Sequence, residues 1–448
     1  MSSISPLDGR YKKDVQELNE YFSEQALMRF RLYVEIKYLI FLSQTASLKN
    51  RISINAKDKK ALEGLYKNFD QREYNAIKRV EAKTKHDVNA VVEYLSQKIE
   101  SISESLVPWV HFGLTSEDIN NTAYSLMIKG AVEGPIFSSL SAVSSELKKI
   151  ATKTKGLSML SLTHGQPATT TTLGKEMAVF HSRIEKQTQQ IKKVRLLAKF
   201  SGATGTFAAH KIAFPKENWV SFSKKFMASL GLENNPITTQ IEPNDSLAEL
   251  LHGFVRINNI LTDMSVDMWL YIQRNVFIQK NKAGEVGSST MPHKINPIFF
   301  ENAEGNLEIA NTNLNFLSTR LCRSRLQRDL SGSTLFRNVG TAFGHSFLAY
   351  KNINKGLERV HPNKVQMGVE LENSWGILAE AIQTVLRKNG EKKAYQKIKT
   401  LTRGKVVDKE KYVDIISTLD VSDEDRAALV NLSPATYLGE VEKILKKY

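Results

Sequence analysis

A polar segment with two glycines, in the second half of the sequence, holds an unusual concentration of reactive side chains. It spans residues 284–297 and reads Gly-Glu-Val-Gly-Ser-Ser-Thr-Met-Pro-His-Lys-Ile-Asn-Pro. The glycines give its backbone conformational freedom, and a loop of this kind commonly closes over a bound substrate. The alternative is an ordinary loop between two helices, in which Asn296 caps the second helix and Pro297 starts it. That alternative explains Asn296 but not two serines, a histidine and a lysine in one segment.

A second candidate for chemistry is His164, which lies in the segment Thr-His-Gly-Gln-Pro-Ala-Thr at residues 163–169. An imidazole exchanges a proton near neutral pH, so it suits a general acid or base. Arg328 and Arg337 follow further along the chain, and a guanidinium holds phosphate oxygens in pairs. Taken singly, a lone histidine is more simply structural, and a lone arginine is more simply part of a surface ion pair.

These residues lie in or beside segments whose apolar residues recur at helical spacing. From Leu247 to Ile278 the apolar positions alternate between three and four residues apart, which predicts one helix of roughly 50 Å at about 1.5 Å per residue. The same rhythm occurs over residues 136–150, 173–198, 307–321 and 336–357. Five long helices predict an all-α fold with a central five-helix bundle, and stripes of this length also serve as oligomer seams.

Shorter helical patterns flank the long ones, and a chain of 448 residues is too long for one ordinary core. We therefore predict three domains. They are an N-terminal helical domain over 1–104, a central long-helix domain over 105–357 and a C-terminal helical domain over 358–448.

The composition predicts a soluble, cytoplasmic protein. The single cysteine, Cys322, excludes an intrachain disulfide, and no apolar run has the length of a signal-peptide core or a membrane span. The net charge is +15, but the basic residues are scattered, so we interpret the charge as a solvated surface rather than a nucleic-acid-binding face. Metal-binding His-Glu-x-x-His and paired-cysteine patterns are absent. The glycines at 202 and 205 lack the following Gly-Lys-Ser/Thr of a P-loop, so we expect them to allow close backbone packing.

Residues 287–296, here called the signature loop, resemble the signature segment of the aspartase/fumarase superfamily. Other segments narrow the resemblance to the adenylosuccinate lyase family, in its bacterial form. They are Asp8–Tyr11, Thr84–Asp87, His111–Asn121, Thr163–Thr169, Thr239–Pro243, Arg325–Asp329 and Ser333–Arg337. The similarity extends from Asp8 to about Lys405, and the family implies the three-domain aspartase/fumarase-like fold.

The resemblance implies a β-elimination that releases fumarate from succinyl-AMP, giving AMP. It implies the same step on the succinylaminoimidazole carboxamide ribotide of purine synthesis. Such a reaction needs a base for a carbon-bound proton, donors for the dianionic intermediate and an acid for the departing nitrogen. By resemblance Ser288 is the base and His164 the acid, while Lys294 and loop amides stabilise the serine alkoxide. The elimination needs no cofactor.

The resemblance also assigns substrate-binding residues. Phosphate and nucleotide contacts fall on Arg10, Tyr11, Arg328, Ser333 and Arg337, and contacts with the succinyl carboxylates on Thr115, Ser116, Ser289, Lys294 and Asn296. Further contacts fall on Lys85, His86, Asp87, Gln240, Ile295, Asn302, Thr334, Leu335 and Phe336, and His111 is either a supporting histidine or a structural one. Lys85 departs from the pattern, because enzymes of this type often carry asparagine or another small polar residue there.

The resemblance further implies a homotetramer with active sites shared between subunits, and neither nucleic acid nor membrane as a partner. Three alternatives stay open: another lyase of the superfamily such as argininosuccinate lyase, aspartase or fumarase, a non-catalytic basic helical binding protein, or an inactive homologue. Intact Ser288, His164 and Lys294 disfavour the inactive homologue, and the scattered lysines disfavour nucleic-acid binding.

Overall fold

The computed structural model of the chain describes residues 3–280, 290–291 and 293–448, and this part is mostly helical. The helices are α1 Lys12–Val15, α2 Asn19–Phe22, α3 Glu24–Ser43, α4 Ala56–Lys67, α5 Gln71–Thr84, α6 Asp87–Glu100, α7 Ser116–Ala131, α8 Phe137–Lys153, α9 Leu173–Ile191, α10 Ala208–Ala213, α11 Trp219–Ser229, α12 Asp245–Gln273, α13 Ile298–Arg320, α14 Ser331–Phe336, α15 Val339–Glu358, α16 Lys364–Glu372, α17 Ala379–Lys388, α18 Ala394–Thr402, α19 Lys409–Ser417, α20 Asp423–Val430 and α21 Val441–Ile444. The strands are β1 Ser158–Thr163, β2 Gln166–Thr172, β3 Leu197–Ala198, β4 Glu233–Asn234, β5 Phe277–Gln279 and β6 Val360–Pro362.

The five predicted long helices correspond to α8, α9, α12, α13 and α15, which confirms the all-α prediction. Their apolar stripes are buried: Phe254, Ile257 and Met264 of α12, for example, are fully inaccessible to solvent. Among the described helices, none is both long enough and apolar enough to cross a membrane.

Two of the predicted helices end earlier than their apolar pattern. The pattern that continues to Ile278 is cut at Asn275, whose backbone is left-handed with φ 58°, a conformation that asparagine tolerates and that ends a helix. The chain then turns into β5, which pairs antiparallel with β6. Similarly, α9 stops at Ile191 and the last predicted residues form β3, which pairs with the parallel strand β4. Apolar residues that continue the helical spacing are thus used in short strands.

The chain divides into two compact units, and α8, α9, α12, α13 and α15 contribute residues to both. Unit 1 comprises Met1–Leu140, Gln187–Asn259 and Gly305–Lys351, and unit 2 comprises Ser141–Lys186, Ile260–Glu304 and Asn352–Tyr448. The predicted division into three domains stays a prediction.

Each unit has a hydrophobic core of its own. In unit 1 the core includes side chains of α3, α6, α7 and α11, and at its centre Tyr38, Phe200 and Phe226 pack with ring centroids 4.8–5.8 Å apart. In unit 2 Leu160 of β1 packs with the C-terminal helices, including Leu378 and Tyr412. These cores fix the elements that carry the predicted site residues.

Candidate active site

The predicted site residues are distributed over both units, and each set is described within its own unit. Unit 1 holds most of the predicted nucleotide contacts, whereas His164 and the described part of the signature loop belong to unit 2. Ser288 and Ser289, the predicted base and its neighbour, lie outside the described residues.

Arg328 joins three of the side chains in unit 1. Its guanidinium donates hydrogen bonds to Ser116 Oγ at 3.2 Å and to Gln240 Oε1 at 3.3 Å, and it forms an ion pair with Glu117 at 3.0 Å. Gln240 is held from its other end, because its Nε2 donates to the Ala203 carbonyl at 3.0 Å. The structure therefore brings Ser116, Gln240 and Arg328 together.

Asp87 continues this network through two further arginines. It accepts hydrogen bonds from Arg31 Nη2 at 2.7 Å and from Arg337 Nη2 at 3.0 Å. Arg31 is almost completely buried and also donates to Asn120 Oδ1 at 3.0 Å, and the Asn120 amide donates to Glu117 at 3.1 Å. Burial alone would raise the pKa of Asp87, but the two guanidinium charges hold it below its usual value. A continuous chain of charged hydrogen bonds therefore runs from Arg337 to the partners of Arg328.

Lys85 and His86 form the junction between α5 and α6. Lys85 ends α5 with a left-handed backbone, φ 57°, which Asn adopts several-fold more readily than lysine. His86 caps α6, and its Nδ1 accepts a hydrogen bond from the Asn89 amide at 3.1 Å. An Nδ1 that accepts requires the proton of the neutral ring to be on Nε2, so Nε2 is the donor that His86 offers.

Thr115 caps the N-terminus of α7 and Ser116 begins the helix, and a fully buried ion pair holds this end in place. Asp118 and Lys199 are inaccessible to solvent and lie 2.8 Å apart. The Asp118 carboxylate also accepts the backbone amides of Thr115 at 2.9 Å, Ser201 at 2.8 Å and Gly202 at 3.2 Å. The ion pair thereby ties the loop after β3 to the start of α7, where unpaired helix amides favour anionic ligands.

The glycines of this loop serve close packing, as predicted. Gly205 has φ 75°, and a Cβ atom there would lie 2.4 Å from the Thr238 carbonyl oxygen. A side chain at this position is therefore excluded both by the backbone conformation and by the neighbouring segment.

His111 precedes the same turn and contacts a carboxyl group of α3. Its Nδ1 lies 2.6 Å from Oε1 of Glu35, which is 1% exposed. His111 has a left-handed backbone, φ 55°, and the Tyr38 hydroxyl donates to the neighbouring Phe112 carbonyl at 2.8 Å. The predicted supporting histidine is thus part of a tightly held turn.

The segment Ser333–Arg337 spans most of α14. Arg337 Nη1 donates to the Ser333 carbonyl at 2.9 Å, and the Asn338 amide donates to the Thr334 carbonyl at 3.1 Å. Phe336 stacks on Tyr124 of α7 with ring centroids 4.6 Å apart. This stacking places α14 beside the Arg328 network, because Glu117, Tyr124, Arg328, Ser333 and Phe336 line one cavity.

Arg10 and Tyr11 immediately precede α1. In the described part of the chain the Arg10 guanidinium lies 5.9 Å from the Tyr11 ring, and Arg10 is exposed. The structure gives Arg10 no direct link to the Arg328 network within the described residues.

His164 of unit 2 lies at the exposed tip of a β-hairpin. β1 and β2 pair antiparallel, and His164 and Gly165 both have positive φ, 53° and 72°, as a two-residue type I′ turn requires. The base of the hairpin is fixed, because Thr170 Oγ1 donates to the Pro434 carbonyl at 2.6 Å. The hairpin is therefore tethered at its base and exposes the imidazole at its tip.

The described end of the signature loop approaches α13. Lys294 is exposed and its amide donates to the Met291 carbonyl at 3.2 Å, while Gln279 Nε2 donates to the Ile295 carbonyl at 3.0 Å. Asn296 is half-buried, and α13 begins two residues later. Asn302, on the first turns of this helix, accepts a hydrogen bond from Asn352 at 2.5 Å.

Sequence reasoning missed the side chains that hold the unit 1 site in place. They are Arg31, Glu35, Glu117, Asp118, Asn120 and Lys199. Glu117, Asp118 and Asn120 belong to the segment His111–Asn121. That segment carries part of the family resemblance, but the sequence alone assigned no role to these three residues. The signal for Arg31 and Glu35 is weaker, because they are two of the four charged residues in the mostly apolar stretch of α3 from Ala26 to Leu42.

Two family models match most of the chain. Residues 9–309 match the lyase family model, and residues 324–438 match the model described as adenylosuccinate lyase C-terminal. The second match covers Arg328 and the segment Ser333–Arg337 of the unit 1 network.

Full-length relatives agree with these models. An adenylosuccinate lyase of Legionella pneumophila (strain Corby) is 44% identical over all of this chain and 99% of its own length. Those of Haemophilus influenzae and Escherichia coli K12 are 41% and 43% identical, over 100% and 98% of this chain and 98% and 97% of their own. The chain belongs to the adenylosuccinate lyase family. The resemblance predicted from the sequence motifs is therefore confirmed, and with it membership of a lyase family.

Solved structures confirm the fold of this adenylosuccinate lyase family member. A 3-carboxy-cis,cis-muconate lactonizing enzyme from Pseudomonas putida has a TM-score of 0.76 at 20% identity, over 96% of each chain. A fumarate lyase from Mesorhizobium sp. BNC1 has a TM-score of 0.76 at 19% identity, over 97% of this chain and 98% of its own. At these identities the likeness concerns the fold alone.

Proposed function

We propose that this enzyme is an adenylosuccinate lyase that eliminates fumarate from succinyl-AMP and from succinylaminoimidazole carboxamide ribotide. The observation that carries the proposal is the full-length similarity, above 40% identity, to relatives named adenylosuccinate lyase. The unit 1 network supports it, because Ser116, Gln240 and Arg328 meet beside a cavity, where a phosphorylated and carboxylated ligand finds both hydroxyl and guanidinium donors.

In the proposed reaction Ser288 removes a proton from the carbon next to a succinyl carboxylate. A serine hydroxyl is a weak base unless its alkoxide is stabilised, and Lys294 supplies the positive charge. The pair of electrons from the broken C–H bond moves into the carboxylate, and the dianion that forms is stabilised by donors that are already in place. Thr115 and Ser116, with the amides of the first turn of α7, serve that purpose.

His164 then donates a proton to the nitrogen as the carbon–nitrogen bond breaks, which releases fumarate and the purine nucleotide. Its place on a two-residue turn supports this role. The hairpin base is hydrogen-bonded to the C-terminal segment, while the imidazole is exposed. General acid help of this kind typically gives about 10²–10⁴-fold in rate.

The test is to follow the ultraviolet absorbance of succinyl-AMP with the purified enzyme and with His164→Ala. We expect AMP and fumarate from the wild type and at least an approximately 100-fold lower rate from the variant. A matched control is His361→Ala, because His361 is an exposed histidine of β6 to which we assign no role. Turnover only of argininosuccinate, aspartate or malate would contradict the proposal and favour another lyase of the superfamily.

We also propose that the enzyme is a cytoplasmic homotetramer whose subunits share active sites. The long helices expose large apolar side chains, including Val266, Trp269 and Leu270 on α12 and Ile309 and Phe316 on α13, each between 38% and 53% accessible. Val266, Trp269 and Leu270 are three and four residues apart and therefore share one face of α12, and an exposed apolar face commonly marks a surface that another protein covers. Light scattering of the wild type and of Trp269→Glu tests this: a monomeric wild type contradicts it, and dissociation of the variant supports it.

A further inference from the structure

Glu35 is a carboxyl group enclosed in the apolar core of unit 1. It is 1% exposed, and its neighbours Val34, Ile36 and Tyr38 on α3 are completely buried. Its Oε1 lies 2.6 Å from His111 Nδ1, and within the described residues its buried Oε2 has no hydrogen-bond partner. A buried carboxylate is costly unless it is paired, and within the described residues His111 is the side chain that Glu35 is paired with.

The turn that carries His111 is fixed to α3 at two points. Glu35 holds the imidazole, and Tyr38, one helical turn later, donates its hydroxyl to the Phe112 carbonyl at 2.8 Å. The next residue, Gly113, has φ 69°, and a Cβ atom there would lie 2.7 Å from the His210 ring. The turn therefore has little freedom, and it leads directly to Thr115 and Ser116.

The charged groups that face His111 are Glu35 of α3 and Asp118 of α7. Asp118 is already neutralised by Lys199 at 2.8 Å, so Glu35 is the decisive partner. Burial alone would lower the pKa of the His111 imidazole, but the charge and hydrogen bond of Glu35 outweigh burial and raise the pKa above its ordinary value. An imidazolium that donates Nδ1–H to Glu35 keeps a second donor, Nε2–H.

We propose that Glu35 is a positioning residue that holds His111 as a cation, with Nδ1 engaged and Nε2–H available to the anionic substrate bound at Thr115 and Ser116. The identity of the substrate in this proposal rests on the proposed lyase function. The protonation state of His111 does not depend on that function. Because a raised pKa keeps the imidazole protonated to higher pH, the positive charge is present below that pKa and is lost as pH rises through it.

The first experiment measures His111 directly, in the full-length enzyme without substrate. With histidine labelled at ring carbon ε1, the His111 resonance is assigned by its loss in His111→Gln and titrated in wild type and in Glu35→Gln. The amide preserves shape and accepts the Nδ1 hydrogen bond but carries no charge. We expect the His111 pKa to fall by about one unit or more, since one unit is a tenfold change in protonation equilibrium. An unchanged value overturns the proposal, whether or not the enzyme has the proposed activity.

The second experiment measures kcat and KM for succinyl-AMP across pH. Glu35→Gln should raise KM about tenfold at a pH between the His111 pKa values that the first experiment finds for the two proteins, and less than about threefold at a pH below both, where both imidazoles are protonated. An equal loss at every pH, accompanied by a lower kcat, indicates a merely structural role and overturns the proposal. The matched control is Glu63→Gln. Glu63 is a carboxylate near the surface that pairs with Lys37, and Lys37 lies on α3, as Glu35 does. This substitution should leave the pH profile unchanged.

A double substitution tests whether Glu35 acts through His111 or independently of it. If Glu35 acts through His111, then Glu35→Gln/His111→Gln should bind succinyl-AMP no more than about twofold worse than His111→Gln alone. If instead the losses of affinity caused by the two substitutions multiply, Glu35 acts independently of His111 and the proposal is overturned.

Discussion

The buried pair of Asp118 and Lys199 gives an unusual prediction about the order of stability among its variants. Lys199→Met leaves Asp118 as a buried carboxylate without a cation. Asp118→Leu leaves the Lys199 ammonium without an anion, and it also leaves the amides of Thr115, Ser201 and Gly202 without their acceptor. Asp118→Leu should therefore be the more harmful substitution.

The magnitudes follow from the complete burial of both side chains. Removing one partner of a buried ion pair costs about 3–5 kcal/mol, and we assign Lys199→Met the lower end because three amides still solvate Asp118. Each buried amide left unpaired adds about 1–3 kcal/mol, so Asp118→Leu should cost more than about 6 kcal/mol. Adding Lys199→Met to Asp118→Leu should restore part of the lost stability, because it removes the unpaired ammonium although the three amides stay without an acceptor.

Thermal unfolding followed by far-ultraviolet circular dichroism measures these differences. At about 2–4 °C per kcal/mol, Lys199→Met should melt roughly 6–12 °C below the wild type. The control is Lys193→Met, at an exposed lysine six residues before Lys199. This variant should melt within about 2 °C of the wild type. If the double variant is less stable than Asp118→Leu, the two side chains do not stabilise each other's charge and the reasoning is wrong.

Three further predictions concern single residues. Lys85→Asn should raise the free energy of unfolding by about 1 kcal/mol, because asparagine tolerates the left-handed backbone at this helix end; urea unfolding tests it, and a loss of stability contradicts it. Arg328→Lys loses the planar fork that makes two hydrogen bonds and an ion pair at once, so KM for succinyl-AMP should rise about 10–100-fold. Steady-state kinetics with an unchanged KM would remove Arg328 from the site. Burial, with the charges of Asp263 and Glu176, raises the pKa of Asp267 to about 6. Because this folded-state pKa exceeds that of the unfolded chain, stability increases as pH falls through it. Asp267→Asn should therefore raise the melting temperature near pH 8 but not near pH 4, and an equal gain at both values would contradict the assignment.

The helical architecture could be predicted from the sequence, because a long helix that is buried on one side has apolar residues at a regular spacing. That spacing can be recognised without knowing what the helix packs against. All five long helices follow from that period. Their ends do not, because they depend on single residues such as Asn275 and on strand partners far away, as when β5 pairs with β6. The hairpin that carries His164 was also missed, since its tip is exposed on both faces and shows no apolar alternation.

The candidate site was predictable where motifs carry it and not where distant charges hold it. Ser116, Gln240 and Arg328 come from three separate motifs, and the structure brings them together. Arg31 and Glu35 belong to no motif, and the partners that give them meaning, Asp87 and His111, lie 56 and 76 residues away in the sequence. Periodicity indicates that such residues are buried, but only the fold shows which charge each one meets.

The positive character of the unit 1 network comes from this local pairing and not from the net charge of +15. Arg31, Arg328 and Arg337 are opposed by two carboxylates, those of Glu117 and Asp87, so the network keeps one positive charge. Each arginine is held by a carboxylate before any ligand arrives. A free arginine side chain carries about 2 kcal/mol of rotamer entropy, and ordering it at the moment of binding weakens affinity. The carboxylates already order these side chains, so under the proposed function a phosphorylated substrate would lose less of its binding free energy to ordering them.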